Sequence, residues 1–282
     1  MTKLFSVRLR TFLIPIVVVC AYMGAQIVAQ LIVMIGFSFG RSGQDVLYTT
    51  SAHMGSFAIL VGLLVLFLIF IALFVGRRSL LPTFFFEKPT GMSLVGSPFI
   101  TMGLLGLSQL YFLYLMAASY LMPWISTLMN DYSDMMDTKL EGIEVALYLV
   151  ATCILIPIVE EFLFRGFVMG EFLKTMHPIF AIVLSSLVFG SMHIQPVQVG
   201  YAMACGIVMG TAYYLSKSMA VCCIIHMIFN FLGAGLSLLV SKDSIVFGFL
   251  ALGYFLCIPL VFVFLWLMWR EDKTRTKKKG FL

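Results

Sequence analysis

The chain has 282 residues, of which 61% are hydrophobic and only 11% charged, with a formal net charge of +5. A soluble domain covers its surface with about a quarter charged residues, so a water-soluble globule is excluded, and so much apolar surface also excludes disorder. A mean hydropathy of +1.06 leaves a polytopic membrane protein.

Crossing the hydrocarbon takes roughly 20 apolar residues. On that basis the sequence predicts eight spans, at 11–37, 52–76, 97–122, 143–168, 178–194, 197–215, 218–240 and 244–269. The fold class expected is an all-α helix bundle. The first span follows Lys3, Arg8 and Arg10, but it is too long for a secretory leader and reads as an uncleaved first helix. Segment 77–98, with Pro82, Pro89, Gly91, Gly96 and Pro98, reads as a linker after the second span. The six cysteines lie inside apolar runs and read as buried thiols, forming neither a disulfide framework nor a metal knuckle.

Lys and Arg in the connections orient the chain. Fourteen of the eighteen fall in alternate connections: Lys3, Arg8 and Arg10; Arg77, Arg78 and Lys88; Lys174; Lys217; and Arg270, Lys273, Arg275, Lys277, Lys278 and Lys279. The other side holds Arg41, Lys139 and Lys242, and is acidic at Asp131, Asp134, Asp137 and Glu141. Both termini are therefore expected in the cytoplasm of a multi-pass cell-membrane protein. The basic tail reads as an anchor on anionic membrane lipids, and no nucleic-acid partner is expected.

Charged side chains at membrane depth cost roughly 2.5–3.5 kcal/mol each on insertion scales, and three stand together at Glu160, Glu161 and Arg165. Glu161 and Arg165 are four apart and face each other on a helix. Glu160 is turned ~100° away and needs another partner. Phe189 and His193 close the fifth span at the same spacing, and His226 and Asn230 repeat it in the seventh. In an antiparallel hairpin turning near His177, Glu160 and His193 come level, and His226 and Asn230 share one helix face. A carboxylate, an imidazole and a separate donor pair are the parts of water-mediated hydrolysis. GxSxG and HExxH are absent, as is a Cys beside a His in a catalytic pattern, so activated water remains as the nucleophile.

Glu160-Glu161-x-x-x-Arg165, Phe189-x-x-x-His193 and His226-x-x-x-Asn230, in this order on successive membrane helices, resemble the three signature motifs of the CAAX prenyl protease and bacteriocin-processing family. These are intramembrane glutamate endopeptidases similar to the type II CAAX protease. The resemblance covers about 146–237 and divides the chain into an N-terminal membrane region (1–142), a catalytic helical core (143–240) and a last span with its tail (241–282). It implies that Glu160 activates water with help from His193. It further implies that His226 and Asn230 form an oxyanion site, and that Glu161, Arg165 and Phe189 support them. The substrate implied is a membrane-associated or prenylated peptide, and no cofactor is expected. Three other readings stay open: zinc held by Glu160, His193 and His226, a non-catalytic scaffold or bacteriocin-immunity protein, and a proton-coupled transporter.

Overall fold

The computed structural model describes residues 2–38, 53–75, 85–136, 140–193, 195–240 and 244–278. The expectations for Arg41, Arg77, Arg78, Pro82, Asp137, Lys139, Lys242 and Lys279 fall outside these residues.

The protein is an all-α membrane bundle. Its helices are α1 (Thr2–Ser38), α2 (Met54–Val75), α3 (Gly91–Ser119), α4 (Pro123–Met136), α5 (Ile143–Leu173), α6 (Pro178–Ser191), α7 (Pro196–Ser216), α8 (Met219–Gly233) and α9 (Ile245–Lys278). Among the described residues seven helices are long and apolar enough to cross a membrane, so the protein is multi-pass. The expected fifth span falls short. α6 has 14 residues, so it is ~21 Å long against about 30 Å of hydrocarbon. It stops because the chain turns at Met192–His193, and Gln195 then caps α7, whose first residue is Pro196. α4 was not foreseen. It occupies the acidic connection as a short amphipathic helix in which only Ile125 is buried, too short and too polar to read as a span.

Polarity is distributed as lipid requires. Phe70, Phe74, Leu256 and Phe262 face outward, while Arg165, Glu161 and Glu171 are among the largest fully buried side chains. Without a hydrophobic drive between helices in lipid, small residues let backbones approach. α3 meets α9 in this way: a Cβ on Gly106 would fall on the Tyr254 carbonyl oxygen, and one on Gly103 on that of Cys257. Gly106→Val should therefore cost ~1–3 kcal/mol through overpacking, read as a lower Tm of the detergent-purified protein; an unchanged Tm would refute this close approach.

Two polar clusters mark opposite ends of α5. At its start, the Glu144 carboxylate accepts from Ser56 N at 2.8 Å and lies 3.0 Å from His53 Nδ1, capping the first turn of α2 from another helix. At its end, Glu171 is held by Lys174 at 2.6 Å and Arg10 at 3.6 Å. The basic end continues across the bundle. Glu87 N bonds Lys217 O at 2.9 Å and Met219 N bonds Phe85 O at 2.9 Å, so the segment before α3 lies against the α7–α8 turn. Arg275 of α9 reaches both Glu87 and the Ser216 carbonyl. Lys217, at φ 54°, lies 3.5 Å from the Tyr214 ring centroid, and burial holds its ammonium below the usual lysine range.

Candidate active site

The site is built on α5, and its backbone is not a plain α-helix. Ala151–Leu155 and Phe162–Met169 wind as π-helical turns on either side of Ile156–Glu161. Each π turn accommodates an extra residue, so it rotates everything beyond it by ~100° relative to an unbroken α-helix. Glu160 and Glu161 stand between the two.

Glu161 is fully buried and has three partners. Arg165 Nη1 lies 3.1 Å from its Oε1, His226 Nδ1 lies 2.7 Å from the same oxygen, and the Cys222 thiol donates to Oε2 at 2.6 Å. Arg165 also lies 3.4 Å from the Gly206 carbonyl, as donor, and 4.6 Å from the centre of the Phe189 ring. The four-residue pair expected from the sequence is therefore present, and the guanidinium is spent on Glu161, Gly206 and Phe189.

Glu160 is kept apart from that cation. Its Oε1 accepts from the Tyr22 hydroxyl of α1 at 2.9 Å, and its Oε2 lies 3.7 Å from His226 Nε2. The imidazole of His226 thus stands between two carboxylates, with one ring nitrogen toward each. Both Glu160 (7% exposed) and His226 (4%) are closed off from the surroundings, so these contacts act in a low dielectric.

His193 occupies the neighbouring position. Its Nδ1 lies 3.0 Å from the Phe189 carbonyl, and its ring is 4.9 Å from the Phe189 ring. Phe189 is shared: the His226 ring lies 5.9 Å from it and Phe164 of α5 lies 5.1 Å from it. The antiparallel α5–α6 pairing expected from the spacing is present, and both imidazoles flank one aromatic ring. Among the described residues no hydrogen bond or ion pair joins His193 to Glu160; the imidazole beside Glu160 is that of His226. Asn230, one turn on from His226, also reaches α5. Its Nδ2 donates to the Thr152 carbonyl at 2.8 Å. Among the described residues no three His, Cys, Asp or Glu side chains are grouped as a metal ion requires.

Sequence reasoning missed Tyr22 and Cys222. Tyr22 lies 138 residues from Glu160 and is one of eleven tyrosines, so its only signal was a hydroxyl in an apolar run. It is 6% exposed and sits edge-on to Phe164. Tyr22→Phe removes a donor to a carboxylate, a bond of ~1.5–3 kcal/mol. The expected results are a lower Tm and a fall of about tenfold or more in any turnover that depends on Glu160; unchanged turnover would detach Tyr22 from the site.

An apolar groove of about 390 Å³, lined by Ile32, Val33, Leu60, Leu63 and Leu147, lies between α1, α2 and the start of α5. Ile32 is ~15 Å along α1 from Tyr22, so the groove is separate from the buried carboxylates.

Residues 142–232 match the family model described as type II CAAX prenyl endopeptidase Rce1-like, which covers about a third of the chain and every motif residue named above. The match agrees with the resemblance read from the three motifs. No curated protein and no solved structure gives a significant match.

Proposed function

With residues 142–232 as an Rce1-like segment, we propose that the protein is an intramembrane endopeptidase in which Glu160 activates water against a peptide carbonyl. The observation that carries this reading is the division of labour between adjacent carboxylates. Glu161 takes the buried cation, while Glu160 faces Tyr22 and His226 Nε2. A carboxylate that the buried guanidinium does not hold can, in a closed site, accept a proton from water. The 3.7 Å separation from His226 Nε2 is longer than a hydrogen bond, and it lets one water touch both groups.

His226 then serves as the electrophilic group. Its Nδ1–H donates to Glu161, which fixes the ring; with both ring nitrogens protonated, Nε2–H points toward the oxygen that becomes negative in the tetrahedral intermediate. The proton that Glu160 takes from water passes to the departing amine, and His193, with Nδ1–H donated to the Phe189 carbonyl, presents Nε2 as an acceptor that orients the reacting groups. The reaction proceeds without a cofactor. The substrate is a membrane-associated peptide carrying a prenyl or other lipid group, which enters from the bilayer. Both termini are placed in the cytoplasm of the cell membrane, where the basic end of the bundle faces anionic headgroups.

The test offers detergent-purified full-length protein a pool of membrane peptides, including one with a farnesylated cysteine four residues from its end. Wild type cleaves; His193→Ala loses about 10²-fold or more; and dialysis against a chelator changes neither rate. Equal processing by the variant removes His193 from the reaction, and loss on chelation with recovery on adding Zn²⁺ replaces activated water on Glu160 with a zinc-bound one.

A further inference from the structure

Proline carries no amide hydrogen, so the carbonyl it would bond within a helix needs another donor. In α5 that carbonyl belongs to Thr152. Over Ala151–Leu155 the hydrogen bonds reach back five residues, and Ile156 N–H bonds the Ala151 carbonyl. In this register the next donor, aimed at Thr152 O, is residue 157, which is Pro157. The donor four residues on from Thr152 is Ile156, already spent on Ala151. The Thr152 hydroxyl points the other way, to the Tyr148 carbonyl at 2.7 Å. Asn230 Nδ2 supplies the bond at 2.8 Å, from a different helix 78 residues away.

We propose that Asn230 is a positioning residue: its amide replaces the N–H that Pro157 lacks, and so holds the π turn that aims Glu160 and Glu161 at His226. Two features of the structure meet here. α8 grips α5 at two levels, with His226 on the glutamates and, one turn later, Asn230 on Thr152 O. The upper grip depends on the lower one. A π turn that relaxes to α-helical winding swings everything after it by ~100°. Glu160 would then leave Tyr22 and His226 Nε2, and Glu161 would leave His226 Nδ1. Asn230 acts on Glu160 through the π turn. Its consequence for catalysis rests on Glu160 being the base; the clamp on Thr152 does not.

The test is a double-mutant cycle on full-length protein in detergent, because only coupled residues depart from additivity. Wild type, Asn230→Ala, Pro157→Ala and the double variant are compared by Tm and by kcat and KM on a fluorogenic farnesylated peptide. Asn230→Asp, which keeps the shape but loses the donor, serves as a second probe. Asn230→Ala and Asn230→Asp should both lower Tm, and kcat by about tenfold or more, with KM within about twofold, the size of one lost hydrogen bond. Pro157→Ala returns a main-chain N–H to Thr152 O. In that background the loss of Asn230 should cost less than about a third of its wild-type effect on Tm, and kcat should recover to within about threefold of Pro157→Ala alone. Equal Tm losses in both backgrounds, or an undamaged Asn230→Asp, overturn the clamp. Tm coupling with kcat still lost in the double variant overturns the positioning role and makes Asn230 a direct participant. If wild type itself fails to cleave, the peptidase reading falls, and the Tm cycle alone decides the clamp.

Discussion

Glu160→Gln is expected to lower cleavage by about 10³-fold while leaving the bundle intact, because the substitution removes a base and little else. Glutamine keeps the length and the carbonyl oxygen that accepts the Tyr22 hydroxyl, so α1 stays docked on α5. It also withdraws a charge from a position only 7% exposed, and lifting that desolvation cost offsets the lost interaction with His226. Tm should therefore hold steady or rise as turnover collapses. Single-turnover cleavage and thermal unfolding of the same preparation check both halves. Retained cleavage would remove Glu160 as the base, and loss of folding would show that its charge supports the structure.

Glu161 should behave in the opposite way. Glu161→Leu deprives the Arg165 guanidinium, at 1% exposure, of its carboxylate, leaves His226 Nδ1 without its acceptor, and leaves the Cys222 thiol only the Met209 carbonyl at 3.4 Å. Breaking a buried pair by removing one member costs ~3–5 kcal/mol, enough to deplete the folded protein in the membrane. Glu161→Leu with Arg165→Met replaces the whole pair by apolar side chains, which is often neutral. The double variant should recover folding without recovering turnover, since His226 has lost the group that orients its ring. Yield, Tm and cleavage of the three proteins decide the matter. A double variant that cleaves normally would show Glu161 to be a partner for Arg165 alone.

Helix-local relations were legible in the sequence wherever a single helix determines them. The Glu161–Arg165 pair needs only the four-residue repeat, and it is present at 3.1 Å. The antiparallel pairing of α5 with α6, from which Glu160 and His193 were expected to come level, needs only a hairpin and a constant rise, and Phe164 lies against Phe189 at 5.1 Å. His226 and Asn230 do lie on one face of α8, and both reach α5. Their targets were not legible, because two side chains on one face of a helix can meet a neighbouring helix at different heights. α6 and α4 departed from expectation for a simpler reason. Composition measures how apolar a stretch is, whereas Gln195–Pro196 and the acidic residues of α4 decide where a helix must end or leave the lipid.

Membrane class and the identity of the charged residues that need partners follow from the sequence alone, because burial in hydrocarbon penalises every polar group not paired nearby. Which imidazole stands beside Glu160, that Tyr22 comes from α1 to hold it, and that Asn230 turns to Thr152 were decided only by tertiary structure. The reason is rotational: two π turns in α5 reset which side chains face which neighbours, and an offset of ~100° per extra residue is invisible to any pattern based on a constant 3.6-residue period.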